Sequence, residues 1–216
     1  MTYKDNWFRV AALTEGAVTL FEEKLRKARS SRDQYMDIQA GALVQAGAFA
    51  KALLLLDRLL TEYPDYFSLT GVEQLRAKCF LGLGDQASAI TAYRNSIEHI
   101  RRLPSVRGNA PLSFVYWVAD QGISECYEEA VAVAFEFWDD SPLFPVTGFM
   151  QHAALALLCD ERGDIDGTIA NACAALAWAE RSQSNAVKHR SLGLVSTEFL
   201  PMLRRMAAIA TAPTTC

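Results

Sequence analysis

The stretch that decides the fold is Gln45–Pro64, which reads QAGAFAKALLLLDRLLTEYP. Gly47 is suited to the left-handed backbone that ends a helix, because it has no side chain to clash there. The apolar residues after it recur with helical spacing, and Pro64 cannot continue a helix. The stretch therefore predicts a helix end, a tight turn and a second helix. Weaker copies at Gly84 and Gly163 predict several such helix pairs.

Composition is typical of a well-buried helical chain. Of the 216 residues, 51% are hydrophobic and only 7 are Pro, and the formal charge is -4. Because this charge gives no strong positive field, we expect no binding to nucleic acid or to an anionic membrane. The charged N-terminal residues predict an amphipathic helix rather than a signal peptide. No apolar run approaches the roughly 18 residues of a membrane span, so we expect a cytoplasmic protein.

The cysteine pattern points to thiols rather than to disulfides or a metal site. The chain has 5 Cys, an odd number, and no C-x-x-C motif. Such usage is typical of a reducing compartment. We expect four of them to be small buried apolar side chains and the fifth to lie in the terminal tail; the four are Cys79, Cys126, Cys159 and Cys173, and the fifth is Cys216.

The apolar periodicity divides the chain into four segments within a single domain. We predict an N-terminal helix (residues 1–32), a helix-pair array (33–182), a C-terminal capping helix (183–210) and a disordered tail (211–216). The first helix is expected from Asp5 to about Ala28. The last is expected from about Ala186 to Ala208, with a kink at Pro201. In the third pair, Glu125 occupies the position assigned to the turn glycine.

The packing positions within the pairs resemble the tetratricopeptide repeat. Small residues let the two helices of a pair approach closely, and bulky ones fill the space toward the next pair. In the first unit the matching residues are Ala40, Leu43, Gly47, Phe49, Ala52, Leu56 and Pro64. The second has Ala77, Phe80, Gly84, Ala89, Tyr93 and Ser96. The third keeps Tyr127, Ala130 and Pro142, and the fourth keeps Ala156, Gly163, Ile165 and Ala175.

The resemblance implies an all-α fold, an α-α superhelix. It would be a right-handed solenoid of about four antiparallel helix pairs, flanked by N- and C-terminal helices. A merely similar array of helical hairpins is the alternative.

No catalytic motif is present in the sequence, so we expect neither an enzyme nor a cofactor. His152, Cys159 and Cys173 offer three potential metal ligands but no fourth, and we predict no metal site. The acidic run after Cys159 fails the spacing of a calcium loop, because Arg162 takes the first ligand position. Asp164 is instead expected to cap the helix that follows it.

The resemblance also implies where a partner binds. Tetratricopeptide arrays hold a peptide or a helix in a concave face, lined by the first helix of each pair. Carried over to this chain, these groove positions are Gln34, Asp37, Ile38, Gly41, Gln45, Gln74, Lys78, Val115, Tyr116, Ala119, Met150 and Leu157. Asp37 and Gly41 stand where binders of chaperone C-terminal carboxylates have Lys and Asn, which excludes that ligand.

The expected function is therefore binding of an extended segment or amphipathic helix of another protein, as an adaptor or small chaperone. Two other functions stay open. One is a helical enzyme or small-ligand-binding protein with a pocket near Tyr116, Trp117 and Tyr127. The other is a structural homo-oligomer, the simplest form being a homodimer. A further alternative is that a terminal helix or a second copy of the chain covers the groove as core.

Overall fold

A computed structural model describes residues 6–9, 14–105 and 108–211 of the chain. In these residues the fold is all-α, with ten α-helices, two short 3-10 helices and no strand. The α-helices are α1 (Glu15–Lys27), α2 (Arg32–Gln45), α3 (Phe49–Glu62), α4 (Leu69–Gly82), α5 (Gln86–Arg102), α6 (Ala110–Gln121), α7 (Tyr127–Glu136), α8 (Pro145–Glu161), α9 (Ile165–Ala179) and α10 (Leu200–Ala210). The 3-10 helices are Ser124–Cys126 and Thr197–Phe199.

The chain divides into two compact units, Met1–Ala110 and Pro111–Cys216. In the first unit α2 packs on α3 and α4 packs on α5, while α3 and α2 also pack on α4. Consecutive helix pairs are thus neighbours, as the sequence predicts. The core between them contains fully buried Leu25, Met36, Leu56, Leu59 and Val72.

The second unit has the same local arrangement of consecutive helices. Here α8 packs on α9, α7 packs on α8, and α10 packs on α9 and α8. Phe114 and Phe149 are among its fully buried side chains. Within the described residues, no helix is both long enough and apolar enough to cross a lipid bilayer.

Four glycines follow the C-terminal ends of α2, α4, α6 and α8. Gly47, Gly84, Gly122 and Gly163 all have φ between +66° and +78°. In each turn the backbone N–H of the next residue donates to the carbonyl five residues back, as in Ala48 to Leu43 and Ile123 to Val118. These bonds satisfy helix-end carbonyls in the Schellman manner. Successive glycines are 37, 38 and 41 residues apart, which is the spacing of a helical repeat.

The small residues that the repeat pattern picks out are all fully buried. Each of the six alanines predicted to allow close helix approach has 0% exposure: Ala40, Ala52, Ala77, Ala89, Ala130 and Ala156. A methyl side chain at such a position lets two helix backbones come together, and a larger one would not fit without repacking. The sequence prediction for these positions is confirmed.

Two glycines of the same helical hairpin are expected to respond oppositely to alanine. Gly47→Ala forces a side chain into left-handed backbone and is expected to lower the free energy of unfolding by about 1–2 kcal/mol. Gly41 lies inside α2, and an added Cβ there meets no atom within 4 Å. Gly41→Ala is therefore expected to raise the free energy of unfolding by about 0.5–1 kcal/mol. Urea unfolding of both variants checks this, and equal effects would contradict the turn geometry.

The third turn differs from its sequence prediction. The turn glycine is Gly122, with φ of +66°, rather than a position filled by Glu125. Glu125 lies in the 3-10 helix Ser124–Cys126, which lengthens this connection before α7 begins. In the second and fourth turns the residue after the glycine is an aspartate that caps the next helix. Asp164 accepts from the Gly167 N–H at 2.9 Å, which confirms the predicted cap.

Both terminal helices are shorter than predicted. The helix expected from Asp5 begins at Glu15, because the Thr14 hydroxyl accepts from the Ala17 N–H and caps it there. Residues 6–9 form a turn, and the part of the prediction at residues 10–13 lies outside the described residues. The helix expected from Ala186 begins at Leu200, and Pro201 lies in its first turn instead of kinking it.

The cysteine prediction holds for two of the four helical thiols. Cys79 and Cys126 are buried, and burial raises the pKa of the Cys79 thiol to about 11. Cys159 is only partly buried and Cys173 is exposed on α9, so these two are not the core residues that the sequence predicts. The prediction placed both thiols on a buried helix face because it used helical spacing alone. Cys216 lies outside the described residues.

Candidate functional site

The groove positions of the first unit lie on α2 and α4, which pack against each other. We call the surface formed by the groove positions of α2 and α4 the first-helix face. Gln34, Gln45 and Lys78 on it are exposed. Its remaining members are partly buried; they are Asp37, Ile38, Gly41 and Gln74. The face thus presents uncharged polar groups, one cation and one acid around an apolar side chain.

The groove positions of the second unit are mostly packed into the protein. Val115, Ala119 and Leu157 are buried, with exposures of 2–3%. Tyr116 and Met150 are partly buried, and burial is the largest cause that raises the pKa of Tyr116, to about 12. The three buried side chains are core residues in this structure, so a binding role in this unit would fall to Tyr116 and Met150.

A C-terminal segment accounts for part of this burial. The Phe199 ring lies 6.1 Å from the Tyr116 ring and 5.4 Å from the Phe149 ring, both edge-on. Phe199 directly precedes α10, which is anchored by buried Met202 and Met206. The C-terminal segment therefore lies against first-helix residues of the second unit. This is the arrangement in which a terminal segment serves as core, one of the alternatives that the sequence leaves open.

The irregular segment before α10 is also fixed to the second unit. The Asn185 N–H donates to the Leu143 carbonyl at 2.9 Å, and the Val146 N–H donates to the Gly193 carbonyl at 2.8 Å. Gly193 has φ of +67° and lies so close to Phe144 that a Cβ would collide with its ring. Residues 182–196 are thus held by backbone hydrogen bonds in place of the predicted helix.

An aromatic cluster packs at the start of α2 in the first unit. The rings of Trp7 and Phe8 lie 5.0 and 4.8 Å from the Tyr35 ring, and Trp7 also contacts Phe21 of α1. An ion pair between Arg58 and Glu22, at 2.9 Å, joins α3 to α1. The ion pair is partly exposed, so the aromatic contacts contribute more than the ion pair to the stability of this end of the first unit.

Asp37 is the one acid on the first-helix face, and its side chain already has a partner. The Tyr66 hydroxyl, just before α4, donates to the Asp37 carboxylate at 2.9 Å. Burial raises the pKa of Asp37, and the hydrogen bond from Tyr66 offsets only part of that rise. Burial and the neighbouring charge of Asp37 raise the pKa of Tyr66. The pair links the second turn of α2 to the start of α4 and fixes one end of the face.

This pair predicts a pH-dependent difference between two variants. In the folded chain Asp37 binds a proton more readily than in the unfolded chain, so wild-type stability increases as pH falls through the folded-state pKa. Asp37→Asn keeps an acceptor for Tyr66 without the buried charge, and it is expected to match or exceed wild type at pH 7. Its advantage should shrink as the pH falls below the folded-state pKa. Thermal unfolding between pH 3.5 and 7.5 measures this.

The matched control is Tyr66→Phe, which removes the donor and leaves the acid. It is expected to lower the free energy of unfolding at pH 7 by about 1–2 kcal/mol, because the carboxylate loses its hydrogen bond in a partly buried place. An Asp37→Asn variant that is less stable than wild type at pH 7, with its deficit widening toward acid, would contradict the account.

The opposite side of α4 carries a second group of charges. Arg76 donates to Glu73 at 3.0 and 3.3 Å and pairs with Asp57 of α3 at 3.1 Å. Glu73 is only 5% exposed and also accepts weakly from the Asn95 amide at 3.5 Å. Next to Arg76 lies a pocket of about 250 Å³ between α4 and α5. Sequence reasoning missed this group, although Glu73, Arg76 and Phe80 share one face of α4.

The three potential metal ligands do not come together. The structure shows no group of three or more His, Cys, Asp or Glu side chains fit to hold a metal among the residues it describes. His152 Nδ1 lies 2.9 Å from the Asn171 side-chain oxygen, and Cys159 lies against Gly167 near Asp164. Since the Asn171 amide nitrogen already donates to the Gly167 carbonyl, its oxygen accepts from His152, which gives that histidine a structural partner.

Comparison of the chain with models of known protein families, with curated proteins and with solved structures finds no match.

Proposed function

We propose that this chain is a protein-interaction module of tetratricopeptide type. Its four helix pairs would form a right-handed superhelix, and the first-helix face of the first unit would bind a peptide or an amphipathic helix of another protein. The observation that carries this proposal is the set of four left-handed glycines at near-equal spacing. It is supported by the full burial of the alanine at each small repeat position.

The chemistry of the first-helix face favours a peptide. Gln34 and Gln45 expose amides that can both donate and accept, so they can pair with a peptide backbone. Ile38 between them is partly buried and offers apolar contact. All three side chains lie on α2, which packs on α3 and α4, so the face is preorganised and little entropy is lost in ordering it on binding.

Burial directs the proposal to the first unit. In the second unit Val115, Ala119 and Leu157 are inaccessible, and the C-terminal segment lies against Tyr116. A partner there would have to displace Phe199 and compete with its ring contacts. In the first unit Gln34, Gln45 and Lys78 are exposed. The proposed role is that of an adaptor or small chaperone in the cytoplasm, acting by reversible binding without covalent chemistry.

The test is a selection of peptides from a displayed random library against the full chain, followed by affinity measurements with two variants. Lys78→Glu reverses the exposed charge on the first-helix face, and Lys51→Glu makes the same change on exposed residue 51 of α3. We expect Lys78→Glu to weaken the selected peptides at least tenfold and Lys51→Glu to leave them within twofold. Equal effects of both, or the recovery of no binding peptide, would refute the first-helix face as the site.

A further inference from the structure

The formal charge of -4 is divided very unequally between the two compact units. Residues 1–110 contain 15 Lys and Arg against 12 Asp and Glu, a net charge of +3, whereas residues 111–216 contain 6 against 13, a net charge of -7. Surfaces of opposite charge on two molecules attract and orient each other. The division therefore favours contact between the first unit of one copy of the chain and the second unit of another.

The positive charge of the first unit is concentrated at the turn between α1 and α2. Residues Lys24 to Arg32 read KLRKARSSR, a stretch that contains five cations and no acid. We call Arg26, Lys27, Arg29 and Arg32 the basic turn. Arg26, Lys27 and Arg29 are exposed, and Arg32 is partly buried. These cations are thus available to a partner at the surface.

The basic turn has no counter-charge of its own. Among the residues that the structure describes, none of its four side chains forms a salt bridge or a hydrogen bond, and the buried Nε of Arg32 lacks an acceptor. Arg58 and Arg76 of the same unit, by contrast, each pair with two carboxylates. The nearest acids along the chain, Glu23 and Asp33, do not pair with the turn. Its charge is therefore free to attract an acidic surface.

The second unit exposes a cluster of acids where α8 ends and α9 begins. We call Asp160, Glu161, Asp164 and Asp166 the acidic turn, and all four are exposed. Ile165 lies among them with 60% of its surface accessible. An apolar side chain inside a rim of charges is a usual arrangement in protein–protein contacts. The acidic turn thus matches the basic turn in number of charges and opposes it in sign.

Local electrostatics do not account for the acids at the end of α8. Asp160 and Glu161 lie in the last turn of this helix, which contains no cation, and the helix dipole disfavours negative charge at that end. Arg162, the next residue, pairs with Glu128 of α7 instead. Asp160 and Asp166 form no salt bridge within the described part of the chain. A cation from outside the unit would offset this unfavourable charge.

We propose that the basic turn of one copy binds the acidic turn of a second copy. Because the two surfaces differ, a pair of copies can exchange the contact reciprocally in a closed dimer or extend it head to tail in an open chain. The contact uses no residue of the first-helix face, and the proposal does not depend on that face binding a peptide. Exposed charge pairs are weak and are screened by salt, so the association is expected to be weak and salt-dependent.

Sedimentation velocity of the full-length chain, from low micromolar to near-millimolar concentration, measures this association. We expect the weight-average mass of the wild type to rise with concentration at low ionic strength. High salt should return it to the mass of one chain, because the screening length falls from about 30 Å in about 0.01 M salt to about 3 Å in about 1 M salt.

Two double variants each neutralise one surface. Arg26→Gln with Arg29→Gln removes two cations from the basic turn, and Asp160→Asn with Asp166→Asn removes two carboxylates from the acidic turn. Each variant alone should self-associate at least about tenfold more weakly than wild type. Mixed together they should associate more tightly than either alone, as a one-to-one complex and nothing larger, since each retains one intact surface. Such a complex also requires that both variants are folded.

Arg101→Gln with Arg102→Gln is the matched control. These exposed arginines end α5 and pair with Glu98. The control lowers the charge of the first unit by the same amount as the basic-turn variant, but at another place. Its self-association should stay within twofold of wild type, because position rather than net charge is expected to decide the contact.

Several results would overturn the proposal. A wild type that remains monomeric at near-millimolar concentration would leave the basic turn without this partner, and association that salt does not weaken would exclude a contact between charges. A control as weak as the basic-turn variant would reduce the effect to net charge. A mixture that binds no more tightly than either variant alone would show that the two turns do not meet. Association without recovery of any displayed peptide would refute only the peptide face.

Discussion

Replacing Phe149 with alanine is expected to lower the free energy of unfolding by about 3–5 kcal/mol. Phe149 is fully buried in α8, and its ring contacts Phe199 at 5.4 Å. The loss combines the transfer of a large apolar side chain with the cavity left behind. Since small proteins are stable by only about 5–15 kcal/mol, this single change removes a large part of the total free energy of unfolding. Chemical unfolding followed by circular dichroism measures it.

A double-mutant cycle with Phe199→Ala tests whether the C-terminal segment is fixed to α8. Phe199 is partly buried, so its own replacement should cost less than that of Phe149. The aromatic contact predicts a coupling energy of about 0.5–1.5 kcal/mol between the two changes. If their effects simply add, within about 0.3 kcal/mol, the ring contact carries no energy and the C-terminal segment is held by α10 and by its backbone hydrogen bonds.

Enlarging Ala52 to leucine is expected to cost about 1–3 kcal/mol, because the added atoms have no room between packed helices. Ala52 is fully buried in α3, which packs on α2 and α4. Ala50 in the same helix is exposed and provides the matched control. Ala50→Leu should change the free energy of unfolding by no more than about 0.5 kcal/mol. Thermal unfolding of both variants checks the difference.

A tolerated Ala52→Leu would have a specific meaning. It would show that the two helices of the first pair are not held at the short separation that a small residue allows. The buried alanine would then be a coincidence of composition, and the repeat interpretation would lose its best packing argument. Ala156, equally buried in α8, offers an independent repeat of the test in the second unit.

The helix pairs could be predicted from the sequence because two signals coincide in them. A glycine ends each first helix, and apolar residues recur with helical spacing on both sides of it. For α3, the prediction began at Ala50 and the helix begins at Phe49. Gly122 lies 38 residues after Gly84 and carried the same signal, but the aromatic Tyr127 drew the alignment to Glu125 instead.

The terminal segments could not be predicted as well, since their helices end through local side-chain chemistry. Thr14 fits an apolar stripe that extends back to Trp7, yet its hydroxyl caps α1 and so ends the helix there. Residues 184–196 have enough apolar content for a helix, but Gly193 and several serines favour backbone hydrogen bonds to residues near the start of α8. Such contacts link distant parts of the chain.

The candidate sites, too, could be predicted from the sequence only in part. The resemblance named the positions of the first-helix face, and three of them are exposed: Gln34, Gln45 and Lys78. It gave no information on burial in the second unit, because a groove position and a core position have the same residue types there. The pocket beside Arg76 depends on the pairing of α4 with α5, and no periodicity in one helix reveals it.

The central claim is that helix pairs closed by glycines follow one another as neighbours along the chain. Methyl-to-methyl nuclear Overhauser contacts in the isotope-labelled full chain test it most directly. The account predicts contacts between the two helices of the pairs α2–α3, α4–α5 and α8–α9, together with contacts between α2 and α4, the first helices of successive pairs. Contacts within pairs but none between α2 and α4 would contradict it, because isolated hairpins would then replace the repeat.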